Sequence, residues 1–582
     1  MTYIPGTQPS SEEKQEENAQ IVEQSETQKK INSLKVRTDA YYLNSFDFQK
    51  RRHDDWATNY RLYRDKIITN RLTQRQTTNV PLMKETVKTA LSNIDDAPDV
   101  MFEDKGNDET KEIYINEYWE DMANKQQLEI KDIIDKRQVL LYGRSFKKLN
   151  IKNKSFQVEI LDPIDVIVDR FVDPADIDTA NYLCHQHIYR ALGDLYSNSN
   201  YDRDALNRLQ TYFATETGKV ESTKNAEDMQ AKNQKMKDLG LIDTDYNLPG
   251  ETIVELKEHF IKDWDKNNGT YTIYVLVEAG NEYIMCKPLE EVLGINFFPF
   301  EGWGDEVERT DYWSDGMADV VRGTNIIANS WVSQLSENRT LINFNMNYYD
   351  ATDDDFFPET FEPKPWGWYP IKGDPNKKVK SVKVEDLADS LNELTFLTDM
   401  VARATAVTGT MKGESQKGSI TLGEIELIDK NATKRITSMN KFYKLNWQKF
   451  AYKWYMLLEA NADSIGAVEL SKKGKSGKYY SRYITPANFK SEKGFKIFVT
   501  SKSEETQKTL ESLQKYQVAK AQMPNNKTLD KLYKKKILSI LDLSPEDKAD
   551  VMEEEERLAE EMAQGAMPVG VPPVPAMTPA NQ

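Results

Sequence analysis

The chain has 582 residues, 39% hydrophobic and 29% charged, with a mean hydropathy of −0.70, which is polar for one compact globule and fits about two to four domains. Its 94 acidic against 77 basic residues leave a formal charge of −17, which argues against a tight nucleic-acid binder, because neutralising phosphates supplies most of that affinity. Two cysteines, Cys184 and Cys286, exclude a disulfide framework and point to a reducing interior; no apolar leader and no run approaching roughly eighteen apolar residues is present, so neither secretion nor a membrane span is expected.

Residues 1–40 are rich in Glu, Gln, Ser and Lys with few apolar anchors, and read as a disordered or loosely helical tail. From Tyr41 onward Phe46, Trp56, Tyr60 and Tyr63 mark helix. Asn79-Val80-Pro81 opens another helix that ends near Asp95–Pro98, and residues 98–103 read as a strand. Asp108 to Tyr142 holds two helices around Trp119 and Ile134, closed by Gly143. Ser145–Ile151 and Phe156–Ile160 are expected to pair across a turn at residues 153–155, and residues 162–174 add short strands broken by Asp-Pro turns. Residues 218–249 are polar and weakly periodic, an exposed insertion. Residues 251–264 and 270–280 alternate and pair as a hairpin, and 281–289 continues that sheet.

The middle of the chain has a different pattern. After Ser314, the residues Val320, Thr324, Ile327, Trp331 and Leu335 recur at helical spacing and make one apolar stripe, which fades near Leu341. A second helical run carries Leu387, Leu391, Leu394, Leu397, Val401 and Ala404, and stops where Gly409, Gly413 and Gly418 argue against continued helix. Between them lies an acidic, aromatic stretch whose prolines 358, 363, 365, 370 and 375 exclude a continuous helix or a central strand. Two antiparallel rods with a small β-rich tip are the expected result.

Ile420 to Asn461 then predicts a long helix with Phe442, Tyr443, Trp447, Phe450, Trp454 and Leu458, an aromatic ridge suited to a core or a subunit interface rather than a cofactor site. Residues 479–489 and 494–501 read as strands. Residues 504–561 are helical and charged, broken at Pro524 and Pro545, and the Pro-rich end reads as disordered.

No catalytic, cofactor or metal residue emerges. Residues 413–419 imitate a phosphate loop but lack the Lys after the second glycine that would reach the β- and γ-phosphates. Cys184 and His185 lie next to each other on an alternating strand and so point to opposite faces, which disfavours a zinc site with His187. Asp353, Asp354 and Asp355 lack the separated ligands of a calcium loop.

The order helix, small β tip, helix, Gly-rich loop, long helix resembles the stem, clip, stem and tunnel loop of the portal proteins of tailed bacteriophages. Residues 79–103, 138–169, 408–428 and 484–521 resemble portal segments as well, and the likeness extends over about residues 45–555. It implies a helix-rich α+β fold, a portal-like wing, stem, clip and crown with long stem helices and small mixed β segments. The parts would be a wing (41–313), stem helices (314–341 and 384–408) around a clip (342–383), and a tunnel loop (409–419). The long wing helix and returning strands (420–502), a crown (503–561) and a tail (562–582) would complete the chain.

The resemblance further implies a homo-oligomeric ring, dodecameric in virions, assembled in the host cytoplasm and built into one capsid vertex. Double-stranded DNA would be packaged and ejected through it. Lys412 and Lys417, on a loop freed by Gly409, Gly413 and Gly418, would touch that DNA weakly. The clip residues Asp353, Asp354, Asp355, Phe356, Phe357, Trp366 and Trp368 would dock the large terminase subunit and later a head-completion or tail adaptor. Ile327, Trp331, Leu335, Leu391 and Leu394 would pack neighbouring stems, with major capsid and scaffolding proteins outside the ring. The competing readings are a phage DNA-processing enzyme, which would need clustered catalytic residues, and another capsid-interior structural protein, which has no need of two long helices flanking a β-rich tip.

Overall fold

The computed structural model describes residues 11–66, 78–94, 98–106, 108–215, 253–265, 269–280, 282–343, 347–349, 374, 379–381, 390–407, 422–473, 479–500 and 515. The first part comprises α1 (Ser11–Lys50), α2 (His53–Tyr63), α3 (Leu82–Asn93), β1 (Asp99–Asp104), α4 (Glu109–Lys125), α5 (Leu128–Tyr142), β2 (Arg144–Lys152), β3 (Ser155–Leu161) and β4 (Val166–Val168). Then come β5 (Tyr182–Ala191), α6 (Leu192–Leu195), α7 (Arg203–Thr215), β6 (Ile253–Trp264), β7 (Tyr271–Ala279), β8 (Glu282–Pro288), α8 (Leu289–Leu293) and β9 (Phe300–Gly304). The rest holds α9 (Met317–Asn343), β10 (Asn347–Tyr349), β11 (Val379–Ser381), α10 (Ser390–Thr405), α11 (Leu422–Ile465), β12 (Val468–Lys473), β13 (Tyr479–Ile484) and β14 (Phe495–Thr500). Helix and strand mix throughout, an α+β fold.

Period-two alternation builds the largest sheet, β4-β5-β6-β7-β8, antiparallel at every pairing. Val166, Val168, Leu183, Phe260, Val275 and Val277 face the main core. Their neighbours Ile167, Tyr182, Cys184, Ile261 and Leu276 face the other way, into a second cluster with Leu34, Tyr42 and Phe46 of α1. Residues 34–40, expected to end a disordered or loosely helical tail, belong to α1 and reach that second cluster through Leu34. Leu34, Thr38, Tyr42, Phe46 and Gln49 are buried along one helical face that runs straight through residue 40. The face was hard to read because two of its five members are polar: the Gln49 side-chain nitrogen donates inside to Val166 O at 2.8 Å.

A smaller sheet, β3-β2-β9, holds the expected hairpin, with Ile151 opposite Phe156 and Lys152 opposite Ser155. Asn153 and Lys154 both take left-handed backbone, which matches the twist of a two-residue turn. Residues far apart in sequence meet where β1 pairs with β14 along six residues. Local chemistry sets helix ends: Asp108 caps α4 by accepting from Thr110 N and Lys111 N at 3.1 and 3.3 Å, and Gly143 closes α5.

The aromatic ridge of α11 is the spine of the main core. Tyr443, Trp447, Phe450, Trp454 and Leu458 are buried at spacings of four and three, whereas Phe442 lies off that face and is exposed. Trp454 meets Trp119 edge-on, ring centres 4.9 Å apart, and Phe102 and Phe156 pack around it. Buried charges stitch α11 to α5. Tyr443 donates to Asp132 at 2.6 Å, and Lys147, fully buried, donates to both Asp135 and Asn446 at 2.6 Å. Lys136 completes the group by pairing with Asp132 at 2.6 Å.

Candidate functional site

The first of the two helices expected as stems starts from a polar knot. α5 ends at Gly143, with φ of +82°, and Gly143 presses on the chain just before α9: a Cβ there would sit 1.9 Å from Ser314 O. Asp319, in the first turn of α9, accepts from Gly316 N at 2.9 Å, which anchors the helix start where a carboxylate also meets the positive end of the helix dipole. The same carboxylate accepts from Arg52 at 3.2 Å, Asn59 at 3.0 Å and Arg322 at 2.7 Å. Burial alone would lower the pKa of Arg52, but the Asp319 and Asp315 carboxylates outweigh it and raise it.

Along α9 the face turned into the chain is not the apolar stripe. It is Ala318, Val321, Asn325, Ala328, Asn329 and Ser333. Asn325 accepts from Met83 N at 2.8 Å, Asn329 from Val80 N at 2.7 Å, and Ser333 from Thr78 N at 3.0 Å. Asn325 also donates to Val80 O at 3.0 Å. Three side chains at four-residue spacing thus serve the segment entering α3 and the first turn of that helix, satisfying backbone groups that would otherwise lose their water. Val320 and Ile327, from the stripe read in the sequence, are 51% and 44% exposed in the single chain, with Trp331 and Leu335 half-buried.

α10 packs on α9. Leu397 and Val401 are buried and Leu394 is half-buried against the core, while Ala404 is exposed; the side chain of Leu391 lies outside the described residues. Phe396 and Met400, one turn apart, are 60% and 45% exposed. Just past the end of α9, β10 pairs antiparallel with β11, Tyr349 opposite Val379, so the chain leaves and re-enters the helix pair through one neck. Of the helices expected over 314–341, over 384–408 and from Ile420, the structure describes Met317–Asn343 as α9, Ser390–Thr405 as α10 and Leu422–Ile465 as α11. Asp353, Asp354, Asp355, Phe356, Phe357, Trp366 and Trp368 lie outside the described residues, as do Gly409, Lys412, Gly413, Lys417 and Gly418. The residues expected as an insertion (218–249), as a crown (503–561, apart from Lys515) and as a tail (562–582) lie outside them too.

A cleft of about 800 Å³ opens between α11, β9 and β14. Lys453 is buried in its wall and bridges Asp178 at 2.8 Å and Glu301 at 3.0 Å, also donating to Phe300 O at 2.6 Å. Burial works against the charge of Lys453, and the two carboxylates raise its pKa despite that. Arg144 is buried beside it with carbonyls for partners: Nε donates to Tyr312 O at 2.6 Å and Nη2 to Pro174 O at 2.9 Å. Burial outweighs the raising effects of Tyr312 and Asp311 and lowers its pKa. Among the described residues, no imidazole, thiol or hydroxyl of Ser or Thr lines this cleft. The sequence reading missed it, although Lys449 and Lys453 one turn apart beside an aromatic ridge were a visible sign.

The Cys-His motif resolves as its alternation predicts. Cys184 faces α1, and His185 faces the opposite side against Lys148 at 3.0 Å. His187 meets Asp165 at 2.7 Å, and His259 sits between Tyr182 at 2.7 Å and Glu278 at 3.3 Å. Among the described residues, no group of three or more His, Cys, Asp and Glu side chains could hold a metal ion, and no helix is long and apolar enough to cross a membrane. No protein-family model matches the chain, and no curated protein does.

Proposed function

We propose that the chain is the subunit of a phage portal, a non-enzymatic ring at one capsid vertex through which double-stranded DNA passes in packaging and ejection. The observation that carries this reading is the helix pair. α9, 27 residues and about 40 Å long, lies against α10, and the β10–β11 ladder gathers the intervening segment at one end. Val320 and Ile327 on α9, with Phe396 and Met400 on α10, expose apolar surface that a neighbouring subunit in a ring would cover. Their polar buried partners, Asn325, Asn329 and Ser333, hold α9 firmly to its own subunit and free the apolar stripe for the next one.

In this reading Lys412 and Lys417 brush the DNA from the tunnel loop, the acidic and aromatic clip meets the terminase and then the adaptor, and capsid and scaffolding proteins surround the wing. The charge of −17 suits a conduit that must not hold its cargo. Electron microscopy of the purified full-length chain tests it. Top views of rings of about twelve units around an open channel are expected, following the family resemblance. A monomer at every concentration, with scaffolding protein added as well, overturns the proposal.

A further inference from the structure

We infer that the 800 Å³ cleft is the docking groove for this chain's own acidic segment, residues 546–562. The outer face of α11 presents Phe442, Leu445 and Tyr452, at 38%, 56% and 53% exposure, spaced by three and seven residues on one side of the helix. Exposed Lys105, Lys449 and Lys496 surround that apolar strip. The acids of the cleft are already engaged, Asp178 and Glu301 by Lys453 and Asp176 by Lys449 at 3.6 Å. Arg144 at the floor meets carbonyls and the ring of Tyr312, 4.2 Å from its centre. The groove therefore calls for an occupant with both carboxylates and apolar side chains at helical spacing.

Residues 546–562 have that chemistry. They hold nine acids against two bases, and Val551, Leu558 and Met562 recur at spacings of seven and four. Chain continuity agrees. β14 lines the groove with Phe495 and Ile497 and ends at Thr500, beside the groove itself. The intervening residues 501–545 can span on the order of 150 Å if extended, so reach is no obstacle. The acidic stretch at residues 12–26 fits less well, with apolar side chains only at Ala19, Ile21 and Val22.

The test uses the full-length chain and zero-length carbodiimide coupling, with the amide-linked peptides located by mass spectrometry. Links from Lys449 or Lys496 to Glu553–Glu556 are expected. A Leu445→Asp/Tyr452→Asp double variant, both positions exposed, should keep its circular-dichroism melt and lose those links at least tenfold. Mixing isotope-labelled and unlabelled chains tells whether a chain's own segment or a neighbour's fills the groove, and either supports the assignment. Groove lysines that couple, apart from the Lys449–Asp176 pair already in contact, only to acids outside 546–562, or links unchanged in the double variant, overturn it. Ring formation is a separate readout, so a failed ring with intact links would sink the portal reading and leave this docking in place.

Discussion

Asp319 answers four donors at once, and two of them are guanidinium groups, Arg52 in the turn between α1 and α2 and Arg322 on α9. Asp319→Ala leaves Arg52 largely buried against the more exposed Asp315 alone, so a loss of about 3 kcal/mol is expected in denaturant unfolding. The histidines set the pH response. Burial, with His187 and Lys50 nearby, lowers the pKa of His53 to about 4, so the unfolded chain takes up a proton that the folded chain refuses. Stability therefore falls as pH drops from 6.5 towards 4, by about 2 kcal/mol at pH 5 from this residue. His185, lowered by burial and Lys148, acts in the same direction. His259 has the opposite sign. Burial opposes its charge, yet Cys184 and Glu278 raise its pKa to about 9, so its contribution is complete below pH 6.5 and lost as pH rises through 9. His53→Gln should reduce the loss of stability between pH 6.5 and 5 relative to the wild type, and His259→Gln the loss between pH 6.5 and 9, read from unfolding midpoints.

At the scale of elements, two glycines on neighbouring helices should respond in opposite ways. Gly143 is left-handed and in contact with the backbone of Ser314, so Gly143→Ala must displace the start of α9 and cost more than about 3 kcal/mol. Gly323 lies on α9 with no atom near its missing Cβ, and Gly323→Ala should stabilise by about 0.5–1 kcal/mol. Thermal unfolding of the pair distinguishes a junction that needs glycine from a helix that only tolerates it. The Asn325, Asn329 and Ser333 ladder is a third kind of joint, in which a helix face serves the backbone at the start of α3.

For the whole molecule, the exposed stripe on α9 and α10 separates subunit from assembly. Ile327→Asp with Phe396→Asp should change the stability of the isolated subunit by no more than about 0.5 kcal/mol, because both side chains face solvent there. Rings should disappear from sedimentation profiles and micrographs. Rings that survive the double substitution would remove this face from the intersubunit surface.

Much of the fold was legible because it follows from local geometry. Alternation along β5, β6 and β7 sorted Cys184 from His185 before any partner was known, and the spacing of Tyr443, Trp447, Phe450 and Trp454 marked the buried side of α11. The hairpin at Asn153-Lys154 and the stop at Gly143 were equally local. Tertiary structure decided the rest. Which of the two stripes on α9 turns inward depended on backbone donors such as Met83 N, 242 residues from its acceptor on Asn325. The docking of α1 depended on a sheet face more than a hundred residues away, and the cleft on a meeting of α11, β9 and β14. Periodicity reports which residues share a face; only the partner's unmet hydrogen bonds and apolar area determine which face is buried.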